Sequence, residues 1–381
     1  MVKKLSLAFA LILLGHLLFA QVKIPTIRAT SKVVDIRDGN VFKKGYWNIT
    51  PDAHPDVYTT SFSKKTKRIT FYTNQDSITF NVKSNSYFLF NILLNNKDTA
   101  LTGILSTDTL GTLKNASKYN LTEKREIPKF TYQSADNPNL AALRKEFKLD
   151  SIVGQGNEVS KILNLLHWIH NLVPHDGNHA NPAVMNAMNM IAVCKKENRG
   201  LNCRGLATVL NECYLSMGIK SRFVTCLPKD SLGIDNDCHV INMVYSKDLK
   251  KWLWIDPTFD AYVMNEKGEL LSIEEVRERI INNKPLIINP DANWNHKASV
   301  EKEYYLYSYM AKNLYKLQCN LNSEYDAETR GLGKTETNIA LLPLEYFKQS
   351  PTKSEQEDKK NKTNFINYKT NNPKVFWAIP D

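Results

Sequence analysis

The sequence predicts an α+β protein: an N-terminal antiparallel β-sandwich, then a domain in which a central helix packs on an antiparallel sheet. Three observations carry that expectation. Residues 21 to about 135 hold short or alternating apolar runs rich in β-branched and aromatic residues, such as VYTTSF, KRITFYT, DSITFNV and YFLFNILL. From about residue 137 the apolar residues recur at three- and four-residue spacing, as on one face of a helix. The stretch from Gly200 to Phe223 then passes from helical spacing into a strand-like run, and two more such runs follow it.

The elements follow in order. MVKK supplies a basic start, LSLAFALILLGHLLF an apolar run, and Ala20 a small residue before Gln21. Residues 1–20 therefore read as a secretory signal peptide cleaved after Ala20, which sends the chain to the periplasm, the cell surface or the medium. Leu18 stands where a small residue is usual, so an uncleaved anchor is the rival reading. No cysteine follows the apolar run, which gives no support to a lipid anchor. No other long apolar run follows, so no transmembrane segment is expected in the mature chain. Residues 21–135 form the β-sandwich domain, with TNQD and LNNKD as turns and no constellation of catalytic type.

Residues 136–349 carry the chemistry. NPNLAALRKEFKL and NEVSKILNLLHWIHNLV are helices, the second with Val159, Ile162, Leu163, Leu166 and Ile169 on one face, ended by Pro174-His175-Asp176-Gly177. Another helix runs from Cys203, with Leu206, Val209, Leu210, Cys213, Tyr214 and Met217 on its stripe, and stops at Gly218. KSRFVTCL, HVINMVYS and KWLWIDPT are strands, with the polar loop PKDSLGIDND between the first two. SIEEVRERIINN opens on a capping box, Ser272 to Glu275, and EKEYYLYSYMAKNLYKLQ is helical. Residues 350–366 are charged and poor in apolar side chains, so a flexible loop is expected, and 367–381 are apolar enough to dock on the body.

Composition narrows the function. The 381 residues are 42% hydrophobic and 23% charged, which suffices for two or three domains with real cores. The formal charge of +11 is spread along the chain, with two of those charges on Lys3 and Lys4. A basic exported protein adheres to anionic surfaces, but dispersed lysines are more often a solvated exterior. No nucleic-acid motif is present, so no nucleic-acid partner is expected. Five of the six cysteines, Cys194, Cys203, Cys213, Cys226 and Cys238, lie close together, with Cys319 apart. That clustering favours local use over a disulfide framework, and without a CxxC pair a zinc ribbon has no support. His167, His170, His175 and His179 do not complete a metal set by spacing, so no metal and no cofactor is expected.

One constellation remains. Cys203 stands at a helix N-terminus, where unpaired N–H groups and the helix dipole favour the reactive thiolate. His239 opens one strand and Asp256 closes the next, so a hairpin between them sets the carboxylate beside the imidazole. Packing the helix across that sheet brings Cys203 to His239, which makes a Cys-His-Asp acyl-transfer set. Asp260 is an alternative acid, past the strand end.

The order NCRGLATVLNECYLSMGIKSRFV, DCHVINMVYS and KWLWIDPTFDAY resembles the transglutaminase-like superfamily of papain-related fold, over about residues 140 to 265. The resemblance implies nucleophile Cys203, base His239 and orienting acid Asp256. It implies a peptidase, an amidase, a protein cross-linker or a non-catalytic relative. Ile241 and Met243 stand where the family often has an aromatic residue and a carboxylate, which bears on substrate type more than on mechanism. The backbone N–H of Cys203 is one oxyanion donor, and Asn202, Trp168, His170 and His175 are candidates for the second donor or the cleft wall.

Each residue has a plainer reading. Cys203 alone is more often core or cystine, His239 a hydrogen-bonded structural histidine, and Asp256 the start of a turn. Cys238 is a bystander, a disulfide partner or a redox control on the site. Cys213 belongs to the core, and the stripe Tyr304, Tyr305, Tyr307 and Tyr309 reads as packing. The combination favours a secreted thiol enzyme acting on amide bonds of protein or peptide, cell-wall peptide included, with hydrolysis ahead of cross-linking. The rival is an inactive scaffold whose β-sandwich contacts glycan or protein.

Overall fold

The computed structural model describes residues 24–51, 55–61, 66–83, 86–107, 109–116, 119–229, 237–331, 333–344 and 353–380. The signal-type segment at 1–20 lies outside the described residues, as does most of the loop PKDSLGIDND. The chain divides into two compact units, Met1–Ser106 and Thr107–Asp381.

The first unit is a two-sheet sandwich. Strands β1 (Thr26–Ala29), β2 (Val33–Asp38), β3 (Val41–Asn48), β4 (Asp56–Ser61), β5 (Lys67–Tyr72), β6 (Ser77–Val82), β7 (Tyr87–Leu94) and β8 (Asp98–Thr107) form the sheets β1-β7-β8-β4 and β3-β2-β5-β6. Ile36, Ile69 and Phe71 of one sheet share a dry core with Phe90, Ile92 and Ile104 of the other. The pairing is not wholly antiparallel, because β1 runs parallel to β7. Asp38 is buried beside Lys43 at 3.4 Å and Lys67 at 2.5 Å, and its carboxylate also accepts from Tyr58 Oη. Burial pushes that carboxyl up, but the two lysines outweigh it and hold it below its ordinary value.

The second unit begins earlier than residue 136. Helix α1 (Thr109–Asn115) sends Leu113 into the larger core, and β9 (Thr131–Tyr132) pairs parallel with β18 (Asn322–Ser323). This stretch has too few periodic apolar residues to announce an element. Helices α2 (Pro138–Glu146), α3 (Leu149–Val153), α4 (Glu158–Leu172), α5 (Ala187–Glu197) and α6 (Cys203–Ser216) follow. A nine-stranded sheet then runs in the order β14-β13-β12-β11-β10-β17-β19-β21-β20. Its strands are β10 (Ser221–Leu227), β11 (His239–Ser246), β12 (Lys251–Asp256), β13 (Ala261–Met264), β14 (Ile287–Ile288), β17 (Lys316–Asn320), β19 (Thr335–Leu341), β20 (Lys353–Asp358) and β21 (Thr363–Thr370). All these pairings are antiparallel except β19 with β21.

Both faces of the central strands are covered. Val244, Leu253 and Ile255 pack under α2 to α6, while Ile241, Met243, Trp252 and Trp254 pack under α7 (Ile273–Ile281) and the helical stretch Lys302–Asn313. That is why β10 to β12 read as near-continuous apolar runs rather than alternating ones. The stretch comprises α8 (Lys302–Tyr304), a π-helical segment Tyr305–Met310 and α9 (Ala311–Asn313). A small hairpin, β15 (Asn293–Trp294) with β16 (Ala298–Ser299), precedes it.

Residues 353–370 are not a loop. They form the β20–β21 hairpin at the sheet edge, where KSEQED stays largely exposed and needs no apolar content. A charged edge strand discourages pairing with other chains, and its composition is indistinguishable from that of a linker. Beyond it, α10 (Pro373–Phe376) places Phe376 and Trp377 in the core, and the Trp377 carbonyl accepts from Trp252 Nε1 at 3.2 Å. Among the described residues no helix is long and apolar enough to cross a membrane.

Candidate active site

Helix α6 starts at Cys203 because Asn202 caps it, its Oδ1 accepting from the Gly205 N–H at 3.1 Å. It ends in a Schellman motif: Gly218 has φ +72°, the Ile219 N–H bonds Tyr214 O and the Gly218 N–H bonds Leu215 O. Every residue from Gly205 to Ser216 is buried, so α6 is a central helix enclosed on all sides. Cys203, in its first turn, is half-buried against Ala207, Phe223 and Val240.

The hairpin geometry brings His239 to Asp256. Strands β11 and β12 pair with Asn242 opposite Ile255, which continues to set Asp256 level with Ile241. The two side chains then share a face, offset by two residues, a diagonal within reach of an imidazole. His239 Nε2 lies 2.7 Å from Asp256 Oδ2, with the two side chains 1% and 0% exposed. The Phe259 and Tyr309 rings flank the imidazole, with centroids at 5.6 and 5.3 Å.

The His239 and His175 imidazoles both act on the Cys203 thiol. Burial pushes its thiol up, but these two imidazoles, the His239 charge and the Val240 N–H together bring it down to about 6. Burial alone would lower the His239 imidazole. The Asp256 charge and hydrogen bond, with the contribution of Cys203, raise it to about 10 instead. The two shifts run in opposite directions, the thiol down and the imidazole up, which favours the thiolate–imidazolium pair.

Two groups that sequence reasoning missed complete the surroundings. Tyr305 Oη donates to Asp256 Oδ2 at 2.5 Å and accepts from Trp254 Nε1 at 3.2 Å, while the Thr258 N–H bonds Asp256 Oδ1 at 3.0 Å. The tyrosine stripe therefore does more than pack. Its π-helical winding breaks the 3.6 periodicity that would have separated inward from outward tyrosines. The second group is Trp294, whose Nε1–H donates to His175 Nδ1 at 3.2 Å. With Nδ1 accepting, the neutral His175 ring carries its proton on Nε2 and presents a donor. Gly200 seats this histidine: a Cβ there would collide with the Pro174 carbonyl, and the Asp176 N–H bonds Leu201 O at 2.7 Å.

The remaining candidates fall elsewhere. Asn202 Oδ1 serves the helix cap and accepts from Asn181 Nδ2 at 2.8 Å. Trp168 packs on Phe147 and lines a cleft with His175. His170 is buried, its ring nitrogens 3.1 Å from Pro257 O and 3.0 Å from Asn293 Oδ1, so it fixes the turn after Asp256 rather than facing a substrate. Asp260 meets His167 at 2.7 Å instead of His239. All six cysteines are free, so Cys238 has no disulfide partner, and burial pushes its thiol up to about 11. Cys213 is fully buried in the core.

Two clefts approach the site. One of about 1030 Å³ is lined by Trp168, His175, Gly200 and Trp294. The other, of about 940 Å³, is lined by Asn181, Asn202, Arg204 and Glu328, with Arg204 forming an ion pair to Glu328.

Residues 145–257, which contain Cys203, His239 and Asp256, match the transglutaminase-like superfamily. This segment is transglutaminase-like. No curated protein sequence matches the chain. Among solved structures, the chain is similar to a protein from Cytophaga hutchinsonii described as a candidate cysteine protease, at 18% identity and a TM-score of 0.24. That alignment covers 52% of this chain and 61% of the other. So distant a likeness carries no weight beside the family match.

Proposed function

We propose that the protein is a thiol enzyme acting on amide bonds, with Cys203 as nucleophile, His239 as acid and base, and Asp256 as the group that orients and charges the imidazole. The observation that carries the reading is His239, hydrogen-bonded to Asp256 at 2.7 Å and coupled electrostatically to Cys203 at the start of a buried helix. The Cys203 thiolate attacks the amide carbonyl, forming a C–S bond while the carbonyl electron pair moves to oxygen. The oxyanion meets the N–H groups of the first turn of α6 and the Nε2–H of His175. Collapse breaks the C–N bond, and the His239 imidazolium gives its proton to the leaving amine. Water, deprotonated by His239, then cleaves the thioester and regenerates the thiolate.

One cleft is lined by His175 and Gly200 and another by Asn202 and Arg204, which suits a substrate with an acyl arm and an amine arm, hence a peptide or protein. Hydrolysis is favoured over cross-linking because it needs only an open acceptor side. Export, from the signal-type start, places that substrate outside the cytoplasm, cell-wall peptide included.

The test is labelling with a thiol probe near neutral pH, followed by assay of a panel of peptide amides. Rapid modification confined to Cys203, with turnover lost in Cys203→Ala and His239→Ala, is the expected result. Labelling as slow as a free cysteine, with no turnover, would leave the inactive scaffold reading in its place.

A further inference from the structure

Four residues past Asp256 stands a second carboxylate with no part in this chemistry. Asp260 is 5% exposed and has φ +49°, a left-handed conformation unusual for a residue other than glycine. Its Oδ2 faces His167 Nδ1 of α4 at 2.7 Å. Asp291 brings a third group, such that one ligand atom from each of His167, Asp260 and Asp291 lies within 4.8 Å of the others. Asn289, 2% exposed, braces the cluster: its Nδ2 donates to Asp291 Oδ1 at 2.8 Å and to the Asp260 carbonyl at 2.9 Å.

A histidine–aspartate ion pair accounts for only part of this. The other oxygen of the Asp260 carboxylate, Oδ1, is buried with no hydrogen-bond partner, which leaves its desolvation uncompensated. Two carboxylates converge on one imidazole, and among the described residues neither has a lysine or arginine partner. Even with His167 protonated, the cluster keeps a surplus negative charge. A cation would meet both deficits at once.

We propose that His167, Asp260 and Asp291 bind a divalent first-row metal ion. One imidazole nitrogen with two carboxylates suits manganese or zinc, with water filling the remaining positions. The ion ties α4 to the turn Thr258–Asp260, whose Phe259 ring flanks His239. Its role is therefore to hold the wall of the candidate active site, not to touch the reacting atoms.

Mn²⁺ is the probe of choice, because Zn²⁺ also binds a free thiolate such as Cys203. Electron paramagnetic resonance of the full chain titrated with Mn²⁺ should show one bound ion per chain, in the wild type and equally in Cys203→Ser. Asp291→Asn, at an exposed position that tolerates the change, should weaken binding at least tenfold, as should His167→Gln, while circular dichroism stays as in the wild type. Mn²⁺ should raise the melting temperature of the wild type and not of Asp291→Asn. No bound Mn²⁺ in the wild type, or binding unchanged in both variants, would overturn the assignment. Neither result bears on whether Cys203 is reactive.

Discussion

Asp256→Asn is the perturbation that separates an assembled ion pair from a chance grouping of side chains. In the wild type the His239 imidazolium survives burial only because a carboxylate lies 2.7 Å away, in a setting where both side chains are essentially dry. The rise from 6.5 to about 10 corresponds to about 5 kcal/mol at roughly 1.36 kcal/mol per unit. Asparagine keeps the shape and removes the charge, so burial now dominates and the imidazole falls below its ordinary value. A neutral His239 no longer stabilises the thiolate by charge. Cys203 keeps the influence of His175 and the helix N-terminus, so its pKa rises from about 6 part of the way to 9.0. The assay is the rate of alkylation of Cys203 against pH, read by peptide mass spectrometry. In the wild type the rate should climb through about pH 6 and then stay flat until the imidazolium titrates near 10. In Asp256→Asn the rising limb should move up by at least one unit, lowering the rate near pH 6.5 by about threefold or more. An unshifted limb in a folded variant would refute the electrostatic coupling.

Three further outcomes follow from the same geometry. Trp294→Phe frees His175 Nδ1, so its Nε2–H is no longer fixed toward Cys203; the alkylation limb should move up, and turnover should fall about 10- to 100-fold with KM little changed. Tyr305→Phe removes a hydrogen bond to a buried charge and leaves Trp254 Nε1 without its acceptor, so chemical denaturation should report a loss of about 1.5–3 kcal/mol, whereas an unchanged midpoint would contradict the network. Gly200→Ala drives a methyl group into the Pro174 carbonyl. It should cost about 1–3 kcal/mol and slow Cys203 labelling by displacing His175, both measurable on one preparation.

Much of the site was legible because it is built from elements with strong local signals. The α6 stripe and Gly218 mark the central helix, and the placement of His239 and Asp256 at strand ends foretells their pairing, whereas the Asn202 cap came from the structure. What escaped is what depends on distant segments. Trp294 reaches His175 from a short hairpin with no apolar pattern, and Tyr305 reaches Asp256 from a π-helical segment whose winding has no sequence period. His170 looked like a cleft residue because periodicity gives a face but not a partner, and its partners, Pro257 and Asn293, lie far along the chain. The edge hairpin at 353–370 escaped because charge on an exposed strand and charge on a linker look alike.

The most direct test of the account is the ionisation of Cys203 itself. Thiolate ultraviolet absorbance, titrated in the wild type and in Cys203→Ser, isolates one sulfur in the difference. The account predicts a single transition near pH 6, displaced upward when His239 is replaced by alanine. A difference transition near 9, the value of an unassisted thiol, would contradict it.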